Sequence, residues 1–348
     1  MANLERMIEF EFVRATENAA LNSIHWLGRG EKEKADEAAC DAIYGVFDVV
    51  DICGEVVIGE GIKDNAPGIF LGERLGTWKE GSPHFDIALD PIDGTTNISK
   101  GLPNSISVIA GAQTRDSQTR AMSNVPSYYS HKLAYGPKVA KALKKKGSAH
   151  ALLIDNPLDE TLKLVAKALD KRVAEVVVVI LDRPRNQNFI DTVRSVGASL
   201  RMVGDGDITA AVAPSLPDSG VDLYVGIGGT PEGILTAAAL KCLEGEIQMR
   251  MWFPTPEARK KECDGLSDAE LDKVYYTEDL LSGKSSIFCA TGISDSPLLP
   301  GVKLIGKTAI THSILMRAHS RTVRYIRAIH NLEHKTIPLR SNPREKTI

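Results

Sequence analysis

Apolar side chains recur at helical spacing in the first part of the chain and then change to strand-like runs. The spacing over residues 5–27 and again over 34–50 predicts two amphipathic helices. Short apolar runs that follow predict strands at 55–58, 87–90, 105–110 and 132–135. We therefore expect helices packed on a largely antiparallel or mixed sheet in this half.

Strands and helices alternate in the second half of the chain. The pattern predicts strands at 176–181, 200–203 and 221–225, and helices at 186–196, 208–213 and 231–243. Such alternation implies parallel βαβ units, in which ligands bind at the carboxyl ends of the strands. A loop at 147–157 predicts a boundary between two halves, 1–150 and 151–348, which we expect to form one compact body.

Composition narrows the class of protein. The chain has 348 residues with 43% hydrophobic side chains, and its formal net charge of -3 provides no attraction for nucleic acid or an anionic membrane. The five cysteines are scattered without close pairing, which argues against a disulfide framework or a zinc site. An apolar run of about 18 residues and a signal-peptide pattern are both missing, so we expect a soluble, cytoplasmic protein.

The segment 84–97 carries the strongest chemical signal. An apolar strand ends on Asp90, and Asp93, Gly94 and Thr95 follow after a proline. Carboxylates at the end of a rigid strand converge on one point, which suits Mg²⁺ or Mn²⁺. The alternative interpretation is an Asp-Gly turn between two strands.

Three further acids have similar placements. Glu60 lies between two glycines at a strand end, Asp36 lies near the start of the second helix, and Glu232 lies in a predicted first helical turn. Glu232 alone would serve equally to complement the helix dipole, and Asp36 alone could be a surface or capping residue. Taken together, these acids are hard oxygen ligands that suit Mg²⁺ or Mn²⁺ and not zinc.

The predicted strand ends of the second half carry groups that suit a sugar phosphate. Arg183, Pro184 and Arg185 form a turn that predicts an anion clamp, although a surface arginine pair would have the same pattern. Asp205, Gly206 and Asp207 predict either a turn with a helix cap or acceptors for sugar hydroxyls.

The glycine-rich segment 226–233 follows a predicted strand and opens a helix, as a dinucleotide-binding fingerprint does. Pro231 replaces its third glycine, so the segment predicts one phosphate or sugar contact and is weak support for NAD.

Six motifs in order give a family resemblance. They are Gly30-Glu-Lys32 with Ala35-Asp36, Val57-Ile-Gly-Glu-Gly61 with Asp64-Asn-Ala-Pro67, Asp90-Pro-Ile-Asp-Gly-Thr95, Asp182-Arg-Pro-Arg185, Asp205-Gly-Asp207 and Gly226-Ile-Gly-Gly-Thr-Pro-Glu-Gly233. The chain resembles class II fructose-1,6-bisphosphatase of the lithium-sensitive phosphatase superfamily. The resemblance implies an α/β layered αβαβα sandwich, a mixed N-terminal sheet and a second sheet of βαβ units.

The resemblance also implies residue roles and an activity. The metal ligands would be Asp36, Glu60, Asp90, Asp93 and Glu232. The catalytic residues would be Lys32, Asp64 and Thr95. The substrate-binding residues would be Asp93, Gly94, Thr95, Tyr129, Arg183, Pro184, Arg185, Asp205, Gly206, Asp207 and Gly229.

With Mg²⁺ or Mn²⁺, such an enzyme would hydrolyse the 1-phosphate of fructose 1,6-bisphosphate in gluconeogenesis, with sedoheptulose 1,7-bisphosphate as a further substrate. The resemblance also implies a homo-oligomer, either a dimer or a tetramer.

One departure from the family pattern leaves an alternative open. The family commonly has Glu where this chain has Asp93, and Asp-Pro-Ile-Asp-Gly-Thr-Thr-Asn97 is the spelling of inositol monophosphatases and bisphosphate nucleotidases. Those proteins usually carry a Trp-Asp pair that this chain lacks. A nucleotide-binding dehydrogenase and a non-catalytic sugar-phosphate sensor are the remaining hypotheses.

Overall fold

The structure is a computed structural model that describes residues 5–59, 69–145, 153–263, 265–283, 285–341 and 346–347. The chain divides into two compact units. The first unit comprises Met1–Ser123 with Gly283–Ile348, and the second comprises Asn124–Ser282. In the described part of the chain, no helix has the length and apolar character needed to cross a membrane.

An eight-stranded mixed sheet forms the centre of the first unit. Its strands are β1 (Cys53–Ile58), β2 (Arg74–Leu75), β3 (His84–Asp93), β4 (Ile106–Thr114), β11 (Ser286–Gly292), β12 (Lys303–Ile305), β13 (Thr308–Arg317) and β14 (Thr322–Asn331). The order is β12-β13-β11-β4-β3-β1-β2, and β14 pairs with β13. The pair β1 and β3 is parallel, whereas β3 and β4 are antiparallel. The mixed sheet predicted for this part of the chain is thus confirmed.

Two long helices pack on this sheet. They are α1 (Glu5–Ser23) and α2 (Lys32–Phe47), and the short α3 (Thr95–Lys100) follows β3. Phe12 and Phe47 meet edge to face at 5.6 Å between ring centroids. Both belong to the apolar core that includes Ile87 of β3 and Leu315 of β13, so helix periodicity and strand alternation bury one common surface.

The second unit contains a six-stranded mixed sheet. Its strands are β5 (Tyr129–Tyr135), β6 (Val177–Leu181), β7 (Ser199–Val203), β8 (Leu223–Gly229), β9 (Glu246–Trp252) and β10 (Tyr275–Tyr276), in the order β10-β9-β5-β8-β6-β7. Strand β6 is parallel to both β7 and β8, which confirms the predicted βαβ units. Strand β5 is antiparallel to β8 and β9 and lies between them, so the sheet is mixed.

Helices cover the two faces of the second sheet. They are α4 (Pro137–Lys145), α5 (Leu158–Leu169), α6 (Gln187–Val196), α7 (Asp207–Val212), α8 (Thr230–Leu243), α9 (Pro256–Glu262), α10 (Asp268–Leu271) and α11 (Thr277–Leu280). Helices α4, α5 and α6 share a core with Leu133 and Val225. Strand alternation turns Lys132 and Tyr224 to the opposite face, where both contact Asp207 at the start of α7.

The two units divide the chain differently from the predicted halves 1–150 and 151–348. Residues 124–145 lie in the second unit because β5 pairs with β8 and β9. Residues 285–331 return to the first unit because β11 pairs with β4. Both pairings join segments far apart in sequence, which a search for loops along the chain cannot detect. A short pair, β15 (Thr336–Ile337) and β16 (Lys346–Thr347), follows near the C-terminus.

Candidate active site

The end of β3 presents two buried carboxylates on one face of the first sheet. Asp90 is paired with Val108 and Asp93 with Ile106. The three-residue step from Asp90 to Asp93 on β3 therefore lies opposite a two-residue step on β4, which is a β-bulge. Residues two apart on a strand share a face, and directly opposed residues do as well. The bulge therefore brings Asp90 and Asp93 to the same face, whereas a regular strand would have turned them apart. Both side chains are less than a tenth exposed.

Local hydrogen bonds fix the turn that follows. Asp90 Oδ1 accepts from the Ile92 amide at 3.0 Å. Gly94 has φ +95°, and a Cβ there would lie 2.3 Å from the Asn104 carbonyl oxygen, so only glycine fits. The Thr95 hydroxyl donates to the Ile92 carbonyl at 3.1 Å, which leaves its oxygen able to accept another hydrogen bond. The resulting turn is rigid.

The first turn of α2 lies beside α3. Two backbone hydrogen bonds hold the preceding loop to α3, from Gly28 to Ile98 at 2.8 Å and from Gly30 to Ser99 at 2.9 Å. Helix α2 also packs against β3. Asp36 is buried in α2, whereas Lys32 is exposed, with its ammonium 3.9 Å from the Glu33 carboxylate. The fold thus buries Asp36 in a helix that packs on β3 and leaves the Lys32 side chain in solvent.

The buried carboxylates of the first unit are chemically suited to bind a hard divalent cation. Asp36, Asp90 and Asp93 supply buried carboxylate oxygens, the ligand type that Mg²⁺ and Mn²⁺ prefer. Within the described ranges, no group of three acidic, histidine or cysteine side chains is close enough to hold a metal ion by itself. Two of the predicted residues, Glu60 and Asp64, lie outside the described residues.

In the second unit, a turn after β6 carries the predicted anion clamp. Asn186 is fully buried, donates to the Leu181 carbonyl at 3.0 Å and accepts from the Ile227 amide at 2.7 Å. These bonds tie the turn to β8. Sequence reasoning missed Asn186, because an asparagine after a strand end is also an ordinary turn residue.

The two arginines of this turn have different neighbours. Arg183 Nη2 donates to Asp205 Oδ1 at 3.2 Å, and both groups are partly exposed. Arg185 instead donates from Nε to the Ile227 carbonyl at 2.9 Å, and its guanidinium carbon lies 4.5 Å from the centre of the Tyr129 ring. Arg183 shares its charge with a carboxylate, whereas these contacts of Arg185 are with neutral groups. If the turn binds an anion as predicted, Arg185 would be the stronger of the two anion ligands.

The Tyr129 ring packs against an aromatic side chain of the neighbouring strand. It is directly opposite Trp252 on β9, and the two rings meet edge to face at 6.3 Å. This contact and the stack on Arg185 form a row of three planar groups. Trp252 has no motif around it, so the sequence does not mark it as a neighbour of the predicted clamp.

Asp207 lies in a buried charge network. Its carboxylate accepts hydrogen bonds from the Lys132 ammonium and the Tyr224 hydroxyl. Burial, followed by the Asp207 charge, raises the pKa of Tyr224 well above its usual value, so Tyr224 remains a donor. Gly206, at φ +86°, precedes Asp207 and lets the chain turn into α7. Sequence reasoning identified Asp207 but missed both of its partners.

Gly229 and Glu232 meet at the start of α8. A Cβ on Gly229 would lie 1.9 Å from Glu232 Oε2, so the Glu232 carboxylate folds back over the Gly229 α-carbon. Glu232 belongs to the first turn of α8, where its charge also complements the helix dipole. The carboxyl ends of β6, β7 and β8 therefore carry Arg185, Asp205 and Glu232, as the βαβ pattern predicts.

The comparisons with known proteins all indicate the same protein family. The family model described as bacterial fructose-1,6-bisphosphatase, glpX-encoded, matches residues 6–330. A D-fructose 1,6-bisphosphatase class 2/sedoheptulose 1,7-bisphosphatase of Synechococcus sp. (strain JA-2-3B'a(2-13)) is 33% identical, over 94% of this chain and 96% of that protein. Fructose-1,6-bisphosphatase 1 class 2 of Escherichia coli (strain K12) is 36% identical, over 95% and 97% of the two chains. The resemblance carried by the six motifs is confirmed.

Proposed function

The chain belongs to the family of bacterial, glpX-encoded fructose-1,6-bisphosphatases, and we propose that it hydrolyses the 1-phosphate of fructose 1,6-bisphosphate. The observation that carries the proposal is the bulged end of β3, where Asp90 and Asp93 share one face directly before Thr95. We include sedoheptulose 1,7-bisphosphate as a second substrate because the Synechococcus relative is named for both activities. The products would be the sugar monophosphate and phosphate.

The enzyme would require a divalent metal, which we propose to be Mg²⁺ or Mn²⁺. The proposed ligands are Asp36, Glu60, Asp90, Asp93 and Glu232. When bound, the ion would neutralise the charge of the phosphoryl oxygens and lower the pKa of water. The choice of these residues rests on the family motifs and on the burial of the described carboxylates.

Thr95 would orient the attacking water. Its hydroxyl hydrogen is directed to the Ile92 carbonyl, so its oxygen would accept a hydrogen bond from the attacking water and hold that water for in-line attack on phosphorus. Gly94 keeps the backbone open on the same turn, since no side chain projects from it. Lys32 and Asp64 complete the proposed catalytic group.

The second phosphate of the substrate would bind at the turn after β6. Arg185 provides the principal charge and Arg183 a weaker one, while Pro184 fixes the spread of the two side chains. Asp205 and Asp207 would accept sugar hydroxyls, and Gly206 and Gly229 would allow close approach of the backbone. Tyr129 would hold the guanidinium plane of Arg185.

Phosphate release from a panel of compounds tests this proposal. The panel contains fructose 1,6-bisphosphate, sedoheptulose 1,7-bisphosphate, myo-inositol 1-phosphate and adenosine 3′,5′-bisphosphate, each with Mg²⁺, Mn²⁺ or EDTA. We expect fructose 1,6-bisphosphate to give the highest kcat/KM with metal and no turnover in EDTA. Activity that survives EDTA, or a preference for inositol phosphate, would contradict the proposal.

The alternative of an inositol-monophosphatase- or nucleotidase-like phosphatase gains no support from the comparisons. We also propose that the protein is a homo-oligomer, either a dimer or a tetramer, which light scattering of the purified protein would test.

A further inference from the structure

A fully buried lysine lies beside the glycine-rich segment of the second unit. Lys132, in the middle of β5, has no exposed surface, and its ammonium donates to the Gly229 carbonyl at 2.8 Å and to Asp207 Oδ2. Asp207 Oδ1 accepts from the buried Tyr224 hydroxyl. A buried ammonium is stable only when such partners replace its water shell.

Two glycines make room for this ion pair. A Cβ at Gly228 would lie 2.0 Å from Asp207 Oδ2 and 3.0 Å from the Lys132 nitrogen. A Cβ at Gly233 would lie 2.4 Å from Met249 Sδ and 3.2 Å from the Lys132 Cδ atom, so this glycine leaves room for Met249 and for the aliphatic stem of the lysine. The glycines of segment 226–233 therefore accommodate a buried protein cation, in addition to any role in approaching a ligand.

The ammonium links the end of β8 to the start of α7. Asp207 is the first residue of α7, and Gly229 is the last residue of β8. The α-carbon of Gly229 borders the Glu232 carboxylate, so a shift of Gly229 moves the surface on which that carboxylate rests. A continuous path of contacts thus runs from Lys132 through Gly229 to Glu232.

We propose that Lys132 is a positioning residue that, with Asp207 and Tyr224, fixes Gly229 and through it the Glu232 carboxylate for metal binding. The inference rests on the proposed function, because it takes Glu232 as a metal ligand. Lys132 is buried and acts through other residues, so it would affect metal affinity without contacting the substrate. Groups that orient a ligand in this way typically change metal affinity or activity about 10- to 100-fold when they are removed.

Binding of Mn²⁺ alone, measured by calorimetry on the metal-free full-length protein, tests the inference without substrate. The double variant Lys132→Met/Asp207→Asn removes both charges together, so neither is left buried and unpaired. We expect its Kd for Mn²⁺ to rise about 10-fold with an unchanged circular dichroism spectrum. Tyr224→Phe keeps the charges and the ring, and we expect a rise of about 3-fold from the loss of one hydrogen bond.

The chain contains a matched control. Lys171 pairs with Asp222 at 2.7 Å before the amino end of β8, away from the glycine-rich segment, so Lys171→Met/Asp222→Asn should leave the Kd within about 2-fold of wild type. Glu232→Gln tests the premise. If it weakens Mn²⁺ binding while folded Lys132→Met/Asp207→Asn or Tyr224→Phe does not, the positioning role is overturned and the ligand role stands.

Two further outcomes complete the test. If Glu232→Gln leaves the Kd unchanged, Glu232 is no ligand, and the inference falls with that part of the proposed function. If the double variant does not fold, Tyr224→Phe decides the result, because it preserves the volume and the charge of the buried network.

Discussion

The two units carry their proposed functional residues in different ways. In the first unit, Asp90, Asp93 and Thr95 lie within six consecutive residues, and one bulge against β4 brings the two acids to one face. In the second unit, Arg185, Asp205 and Glu232 follow three different strands and depend on buried supports such as Asn186 and Lys132. The geometry of a local site, such as the β3 turn, is set by the turn itself. A site assembled from several strand ends needs additional buried residues to hold its side chains in place.

The largest expected effect is at the local site. Asp90→Asn removes a proposed ligand charge, and we expect kcat to fall about 10³-fold because transition-state charge would lose several kcal/mol of stabilisation. Steady-state kinetics with a titration of Mn²⁺ measure the loss. Asp86→Asn is the control, since Asp86 is also a buried acid of β3 but accepts from the Ala121 and Met122 amides. Equal losses of activity in folded Asp86→Asn and Asp90→Asn would indicate a merely structural role for Asp90.

The next effect separates the two arginines of the assembled site. We expect Arg185→Ala to raise the KM for fructose 1,6-bisphosphate about 100-fold and Arg183→Ala about 10-fold, because Asp205 already compensates part of the Arg183 charge. The kcat should change less than KM in both variants. Arg201→Ala is the control, since Arg201 is exposed and donates to the Ser219 carbonyl. An equal rise in KM for both clamp variants would remove the distinction between them.

A smaller effect concerns the pH dependence of stability in the second unit. His131 stacks on Phe189 at 4.9 Å, and burial lowers its pKa to about 4. Since its unfolded pKa is near 6.5, the stability that neutral His131 contributes is present above pH 6.5 and is lost as the pH falls toward 4. Between pH 7 and pH 5 this loss is about 2 kcal/mol.

Urea unfolding at pH 7 and pH 5 measures this loss. Leucine cannot titrate. The decrease in the free energy of unfolding from pH 7 to pH 5 should therefore be about 2 kcal/mol smaller in His131→Leu than in wild type. His25→Leu serves as the control, because His25 is exposed. An identical decrease in wild type and His131→Leu would contradict the assignment.

The smallest effect tests how exactly the bulged turn sets the metal position. Asp93→Glu restores the side chain common in the family, and we expect kcat/KM to change by about 3-fold, with a shift in the preference between Mg²⁺ and Mn²⁺. The longer arm moves the carboxylate but keeps its charge, so the loss should be far smaller than for Asp90→Asn. A loss as large as that of Asp90→Asn would mean that the turn tolerates no change of ligand length.

Local patterns predicted most of the secondary structure. The predicted helix at 231–243 is α8 (Thr230–Leu243), and Ser267 and Glu270 form a capping box at the start of α10. These elements are decided by periodicity and by residues that bond to their own backbone neighbourhood, so short windows of sequence suffice.

The fold class, the family and the placement of acids in the β3 turn could be predicted from the amino-acid sequence, because these depend on residues close together along the chain. Only the tertiary structure decided that β5 lies between β8 and β9, that 285–331 return to the first sheet, and that Lys132 and Tyr224 converge on Asp207. Backbone hydrogen bonding is common to nearly all residues, so an apolar run predicts a strand without naming its partner. The role of a buried lysine in such a run can be identified only when the fold places an acidic side chain beside it.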